Sequence, residues 1–164
     1  MAPKKKGFTF NDKWNCYFMK EAQLIATLSK DPSTQVGCVI VNPEKSILTK
    51  GYNGFPRGVK DDVPARWKRP IKYDFVVHAE SNALLNAARS GTNLSNGILY
   101  VTMPPCTRCA GEIIQAGIKE VVYLEPAEEK RIPGWRDSLK ISFEMFGEAG
   151  VIYKSLDLKN TNSH

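Results

Sequence analysis

From residue 97 onward the chain alternates two kinds of segment: "GILYVTM", then "TRCAGEIIQAG", then "KEVVYLE", then a helical window over 135–148, then "GVIYKS". The first, third and fifth are short β-branched runs, and the segments between them carry helical periodicity. Strands joined by helical crossovers lie side by side and parallel. Upstream, "VGCVIV" and "ILTKGY" flank "NPEK", the pattern of two strands and a turn, hence an antiparallel hairpin. The two patterns together predict an α/β fold built on a mixed five-stranded sheet.

Two further helices complete the expectation. Trp14, Tyr17, Phe18, Ala22, Ile25 and Ala26 recur at helical spacing between the capping pair Asn11-Asp12 and the breaking pair Asp31-Pro32, which predicts a helix over 12–29. "AESNALLNAARSG" predicts another, ended by Gly91, while the window holding "TRCAGEIIQAG" ends at Gly117. Between hairpin and helix, residues 53–73 form a polar excursion with two glycines and three prolines. It is too long for a simple connector and reads as a binding loop.

The 164 residues suit one domain, which at that length buries roughly 70% of its unfolded surface. A 42% hydrophobic content with three Trp and seven Phe argues against disorder. No apolar run approaches the ~20 residues that span a bilayer. The opening "MAPKKKGFTFNDKW" lacks the apolar stretch of a secretory leader, so the four cysteines are expected as thiols in a reducing, cytoplasmic compartment. The lysines of "PKKK" read as solvated. Residues 1–11 are thus expected as a flexible basic tail, 12–156 as the domain and 157–164 as a flexible C-terminal tail. A net charge of +6 attracts nucleic acids and small phosphates alike.

The chemistry gathers around "MPPCTRCAG" and "VVHAES". A Cys-x-x-Cys is a redox pair, half of a structural zinc site or part of a catalytic one. Cys106 and Cys109 follow two prolines at the start of a predicted helix, whose positive end favours thiolates. A closed four-ligand site needs another close Cys or His pair, and neither Cys16 nor Cys38 has such a neighbour. Those two read as core cysteines. His78 is the one histidine away from the C-terminus and also opens a predicted helix. One His and two Cys leave a tetrahedral zinc with an open position, the arrangement that binds a water and lowers its pKa toward ~7. Glu80, two residues on, is placed to move that water's proton, and a glutamate there also favours its helix end.

The pattern His78-Ala79-Glu80 followed by Pro105-Cys106-Thr107-Arg108-Cys109 resembles the signature of the zinc-dependent cytosine nucleoside and nucleotide deaminases. "SKDPSTQVGCVIV", "GYNGFPRG", "HAESNALLNAA" and "CAGEIIQAGIKEVVY" are similar to the deoxycytidylate (dCMP) branch, and the likeness spans about residues 29–123. It implies a three-layer cytidine-deaminase-like fold with helices on both faces of the sheet. It further implies one catalytic Zn2+ per chain on His78, Cys106 and Cys109, with Glu80 as the catalytic proton carrier converting dCMP to dUMP and ammonia.

Asn53 of "GYNG" matches an asparagine that binds sugar and base in relatives, although Asn-Gly is also a turn signal. Ser29, Lys30 and Arg57 are candidates for the 5′ phosphate. The resemblance also implies a homo-oligomer, a hexamer above all, and regulation by dCTP with Mg2+ and by dTTP. Gly51, Tyr52, Gly54 and Arg89 are the candidate effector or interface residues. "WKRPIKYDF" carries no extra Cys or His, so the second zinc of some relatives is not expected. Alternative readings are a deaminase of dCTP, of a modified dCMP or of cytidine, a polynucleotide deaminase, and a zinc-stabilised interaction protein without turnover. A polynucleotide substrate would call for a basic and aromatic stacking track that the sequence does not offer, so no nucleic-acid partner is expected.

Overall fold

The computed structural model describes residues 8–126 and 134–159. Five strands form one sheet in the order β2-β1-β3-β4-β5: β1 Gly37–Val41, β2 Ile47–Tyr52, β3 Ile98–Val101, β4 Glu120–Tyr123 and β5 Ile152–Ser155. β1 runs antiparallel to both β2 and β3, whereas β3, β4 and β5 are mutually parallel, with Leu99 opposite Val121 and Val121 opposite Tyr153. The mixed sheet expected from the alternation is present.

The helices are α1 Asp12–Ala26, the single turn α2 Lys72–Phe75, α3 Ala79–Ser90, α4 Thr107–Gln115 and α5 Trp135–Ala149. Gly91 and Gly117 follow α3 and α4 at positive φ, 69° and 79°. Alternate residues of the central strands face opposite layers. Val39, Val41, Ile98, Tyr100 and Val122 pack with Phe18, Met19 and Ala22 of α1. Cys38, Ile40, Leu99, Val101 and Val121 pack with Ala83 of α3, Ile113 of α4 and Phe146 of α5. Strands covered on both faces need continuous apolar runs, which explains why β1, β3 and β4 do not alternate in sequence. Phe18 lies among Phe10, Trp14 and Tyr100, with ring centroids 5.9, 5.7 and 5.3 Å away, and each such burial stabilises by about 1.5–3 kcal/mol. Cys38 is fully buried, and burial pushes its thiol well up, as befits a small apolar residue.

Three expectations are corrected. The first helix ends at Ala26, because the Thr27 hydroxyl donates to the Leu24 carbonyl and the next amides bond three residues back. Its buried face is also turned: Tyr17 is 49% exposed, while Asn15 is buried, donating to the Phe10 carbonyl at 3.1 Å and accepting from the Tyr100 hydroxyl at 2.8 Å. Neither expected tail is wholly a tail. Phe10 enters the core, the Thr9 backbone N–H and hydroxyl both donate to the buried Glu120 carboxylate, and Leu158 packs against the same cluster. Residues 1–7 and 160–164 lie outside the described residues.

Two arrangements set up the site. β2 is bonded to α3 through side chains: Thr49 donates to the Ala83 carbonyl at 2.8 Å, Asn82 to the Tyr52 carbonyl at 2.8 Å, and Asn86 to the Lys50 carbonyl at 2.9 Å. Gly51, also in β2, lies beneath the backbone of α3 with no room for a side chain. The excursion after β2 has a small core of its own, with Phe55 stacked on Trp67 at 4.2 Å and on Phe75 at 5.1 Å, and the Arg66 guanidinium over Phe75 at 4.8 Å. Paired backbone bonds between Gly54 and Val77 return this segment to His78. Among the described residues, no helix is long and apolar enough to cross a membrane.

Candidate active site

Two helix beginnings meet at the C-terminal side of β3. His78 is the N-cap of α3 in extended backbone, and Cys106, also extended, is the N-cap of α4 after Pro104 and Pro105. Cys109 follows in the first turn of α4 and is buried. The His78 Nδ1 atom lies 3.5 Å from Cys106 Sγ and 3.4 Å from Cys109 Sγ. Tetrahedral zinc bonds of ~2.3 Å to sulfur and ~2.0–2.1 Å to nitrogen separate such donors by about 3.6 Å. The three ligand atoms lie within 4.8 Å of one another, and among the described residues this is the one such group of three. The donor set therefore fits zinc and leaves a fourth position open.

The electrostatics agree with that fit. Hydrogen bonding from Cys109, aided by His78, outweighs burial and holds the Cys106 thiol down at about 4, so a thiolate is ready for a soft cation. The Ser81 hydroxyl donates to Glu112 and stands 3.9 Å from Cys109 Sγ, while Arg108 pairs with Glu112 at 3.2 Å. Glu80, in the first turn of α3, is 4% exposed. Burial raises its carboxyl to about 7, against the opposing pull of its own backbone N–H and of His78. A carboxyl poised near neutrality gives and takes protons readily.

His78, Glu80 and Cys106 line a cavity of about 250 Å³ whose apolar wall includes Val36, Val76 and Met103. Asn53 also lines it. Its Oδ1 accepts from the Val36 N–H at 2.7 Å and its Nδ2 donates to the Thr34 carbonyl at 2.9 Å, with Asp31 Oδ2 at 3.4 Å, so one Oδ1 lone pair is left for a donor in the cavity. A neighbouring hollow of about 310 Å³ shares Thr34 and Met103 with it and, among the described residues, has no ionisable side chain in its lining.

The chain region defined as the cytidine and deoxycytidylate deaminase zinc-binding region matches residues 12–125. The chain belongs to the cytidine and deoxycytidylate deaminase family. Human deoxycytidylate deaminase is 47% identical over 148 residues, 87% of this chain and 79% of that protein. The probable deoxycytidylate deaminase of Drosophila melanogaster is 43% identical over 152 residues, 86% of this chain and 71% of that one. The dCMP deaminase of cyanophage S-TIM5, in complex with dCMP and dUMP, superposes with a TM-score of 0.70 at 30% identity over 90% of this chain and 99% of that one.

Within this deaminase frame, several residues named from sequence stand elsewhere. Ser29, Lys30 and Arg57 do not line the cavity. The Ser29 hydroxyl is engaged in holding the Asn53 carbonyl at 2.7 Å, Lys30 pairs with Asp61 at 2.9 Å, and Arg57 donates to Asn86 at 2.7 Å. Gly51 is buried under α3 and Gly54 serves the backbone bridge to Val77, so both have structural duties, whereas Tyr52 and Arg89 are exposed. Sequence reading missed Asp31, Arg69, Lys72 and Tyr73, which do line the cavity. The Lys72 ammonium bonds Asp31 Oδ2 at 2.9 Å, Oδ1 at 3.2 Å and the Ser33 hydroxyl at 2.7 Å, with both charged partners buried. The segments "SKDPSTQVGCVIV" and "WKRPIKYDF" hold these residues, but periodicity gives no sign that they meet.

Proposed function

We propose that the chain hydrolyses the amine of dCMP to give dUMP and ammonia. The observation that carries the reading is Glu80, a buried carboxyl balanced near neutrality in the same cavity as His78 and Cys106. A metal site kept only for stability has no use for it. The substrate follows the relatives, among them the human enzyme named for deoxycytidylate and the cyanophage enzyme bound to dCMP and dUMP.

His78 Nδ1, Cys106 Sγ and Cys109 Sγ would hold one zinc per chain. When bound, it supplies a Lewis acid that activates water at neutral pH. Glu80 takes the proton of the attacking water and passes it to the ring nitrogen beside the amine-bearing carbon. The same carboxyl then carries the second proton of that water, from the hydroxyl now on the carbon, to the amine, so that the carbonyl forms as the C–N bond breaks and neutral ammonia leaves. Val36, Val76 and Met103 give the pyrimidine an apolar wall, and the free Asn53 lone pair accepts from a sugar hydroxyl. The four cysteines form no disulfide, in keeping with an intracellular enzyme.

The proposal extends to regulation by dCTP with Mg2+ and by dTTP in a homo-oligomer, with exposed Tyr52 and Arg89 as the surface residues involved. The deciding experiment measures ammonia release from dCMP, dCTP and deoxycytidine by zinc-loaded protein, with and without added dCTP and Mg2+. Preferred turnover of dCMP supports the reading, and a dependence on dCTP supports its regulatory part. Absence of dCMP turnover under every condition refutes the reading.

A further inference from the structure

An anionic group entering the cavity must find a cation or a row of N–H donors, and the structure narrows the choice by elimination. Among the described residues, two cationic side chains line the cavity, Arg69 and Lys72. Lys72 is buried and its three N–H donors are consumed by the two Asp31 oxygens and the Ser33 hydroxyl. The amides of the adjoining loop are spent as well, since the Ser33 and Thr34 N–H groups both donate to Asp31 Oδ1, at 2.9 and 3.2 Å. Asn53 has no free N–H. Arg69 is different: it is exposed, and among the described residues its guanidinium has no hydrogen bond or ion pair. Five N–H donors in a planar fork suit the oxygens of a phosphate monoester.

The surroundings reinforce this choice. Arg66, Lys68 and Arg69 put three cations within four residues of this rim segment, a field that draws anions toward the opening. The cavity's own acids do not oppose it there, because Asp31 is paired with Lys72 and Glu80 is buried at the far, His78 side of the cavity lining. Resting on the deamination reading, we propose that Arg69 binds the 5′ phosphate and makes this site prefer a nucleoside monophosphate to a nucleoside.

The test compares kcat/KM for dCMP and for deoxycytidine, and in parallel the affinity for dUMP and for deoxyuridine by calorimetry. Arg69→Gln lowers the dCMP to deoxycytidine ratio by about 10- to 100-fold and weakens dUMP by a similar factor, the loss expected for a charge-assisted contact. Arg69→Lys recovers part of it, because the charge stays and the fork is lost. Lys30→Ala and Arg57→Ala leave the ratio in place. An unmoved ratio in Arg69→Gln, with wild-type zinc content and melting temperature, overturns the assignment, as does a shift produced by Lys30→Ala or Arg57→Ala instead. Should the unmutated protein deaminate neither substrate, the deamination reading falls by itself. In that event dUMP binding that depends on Arg69 still upholds the phosphate site, and dUMP binding that ignores Arg69 overturns it.

Discussion

Replacing Gly51 by alanine tests the link between the sheet edge and the chemistry. A Cβ at this position would stand 2.4 Å from the Ala83 backbone nitrogen and 2.6 Å from the Ala79 carbonyl oxygen, where ordinary contact begins near 3.4 Å. Both obstacles are backbone, so no side chain can rotate aside, and α3 must withdraw by about 1 Å. It cannot do so freely, because Thr49, Asn82 and Asn86 bond the helix to β2 along its length. Overpacking of this kind costs about 1–3 kcal/mol. The same helix begins with His78 and Glu80, and a misplacement of ~1 Å at reacting groups costs on the order of 100-fold in rate. Urea unfolding and kcat for dCMP, both on zinc-loaded protein, measure the two effects together. Gly54→Ala is the matched control, since its Cβ meets only Tyr52 ring carbons at 3.8 and 4.0 Å. Wild-type stability and kcat in Gly51→Ala would refute the claim that this close approach fixes the site.

Glu80→Gln keeps the shape but not the proton carrier, so kcat falls at least ~100-fold while bound zinc per chain, read by metal analysis, is unchanged. Ser81→Ala removes the hydroxyl that bonds Glu112 beside the Cys109 sulfur; zinc affinity measured against a competing chelator weakens ~10-fold, and an unaltered affinity counts against that role. Burial alone would raise the Asp31 carboxyl, but the Lys72 ammonium and the Ser33 and Thr34 donors outweigh it and hold it below its ordinary value. Its contribution to stability is therefore complete above the unfolded value of ~3.9 and is lost as pH falls through the folded value. The urea-midpoint gap between wild type and Asp31→Asn should be constant above about pH 5 and shrink below about pH 4.

Much of this was legible because two periodicities do not overlap. The strand runs and helical windows after residue 97 fixed the parallel half of the sheet, and the hairpin motif fixed the antiparallel half. The candidate zinc ligands were equally plain, since His78, Cys106 and Cys109 each sit where a strand-like run gives way to a helix. The phosphate candidates do not line the cavity, and the reason is physical. Lys30 and Arg57 were chosen for charge and for nearness to suggestive motifs, yet an exposed cation is free to pair wherever an acceptor lies, and theirs are Asp61 and Asn86. Lys72 meets Asp31 across 41 positions of sequence, and no local pattern encodes that meeting. The burial of Asn15 left no mark in the apolar spacing of the first helix, because its two partners, the Phe10 carbonyl and the Tyr100 hydroxyl, come from separate parts of the chain.

The clasp between the first residues and the last strands also bears on how the chain comes to be folded as it is made. Thr9 bonds Glu120, Asp12 pairs with Lys154, and Phe10 and Phe18 share their core with Val122 and Leu156. A growing chain emerges at ~5–20 residues per second and folds by domains from its N-terminal end. Here the apolar face of α1 appears first; β1 and β3 cover much of it, but its contacts with Val122 and Leu156 wait for residues about a hundred positions later or more. The cost of closing so large a loop grows only slowly with its length, so the finished fold tolerates the arrangement. Its burden falls on the nascent chain, in which part of the surface of Phe10 and Phe18 stays open to other surfaces until β4 and β5 have emerged.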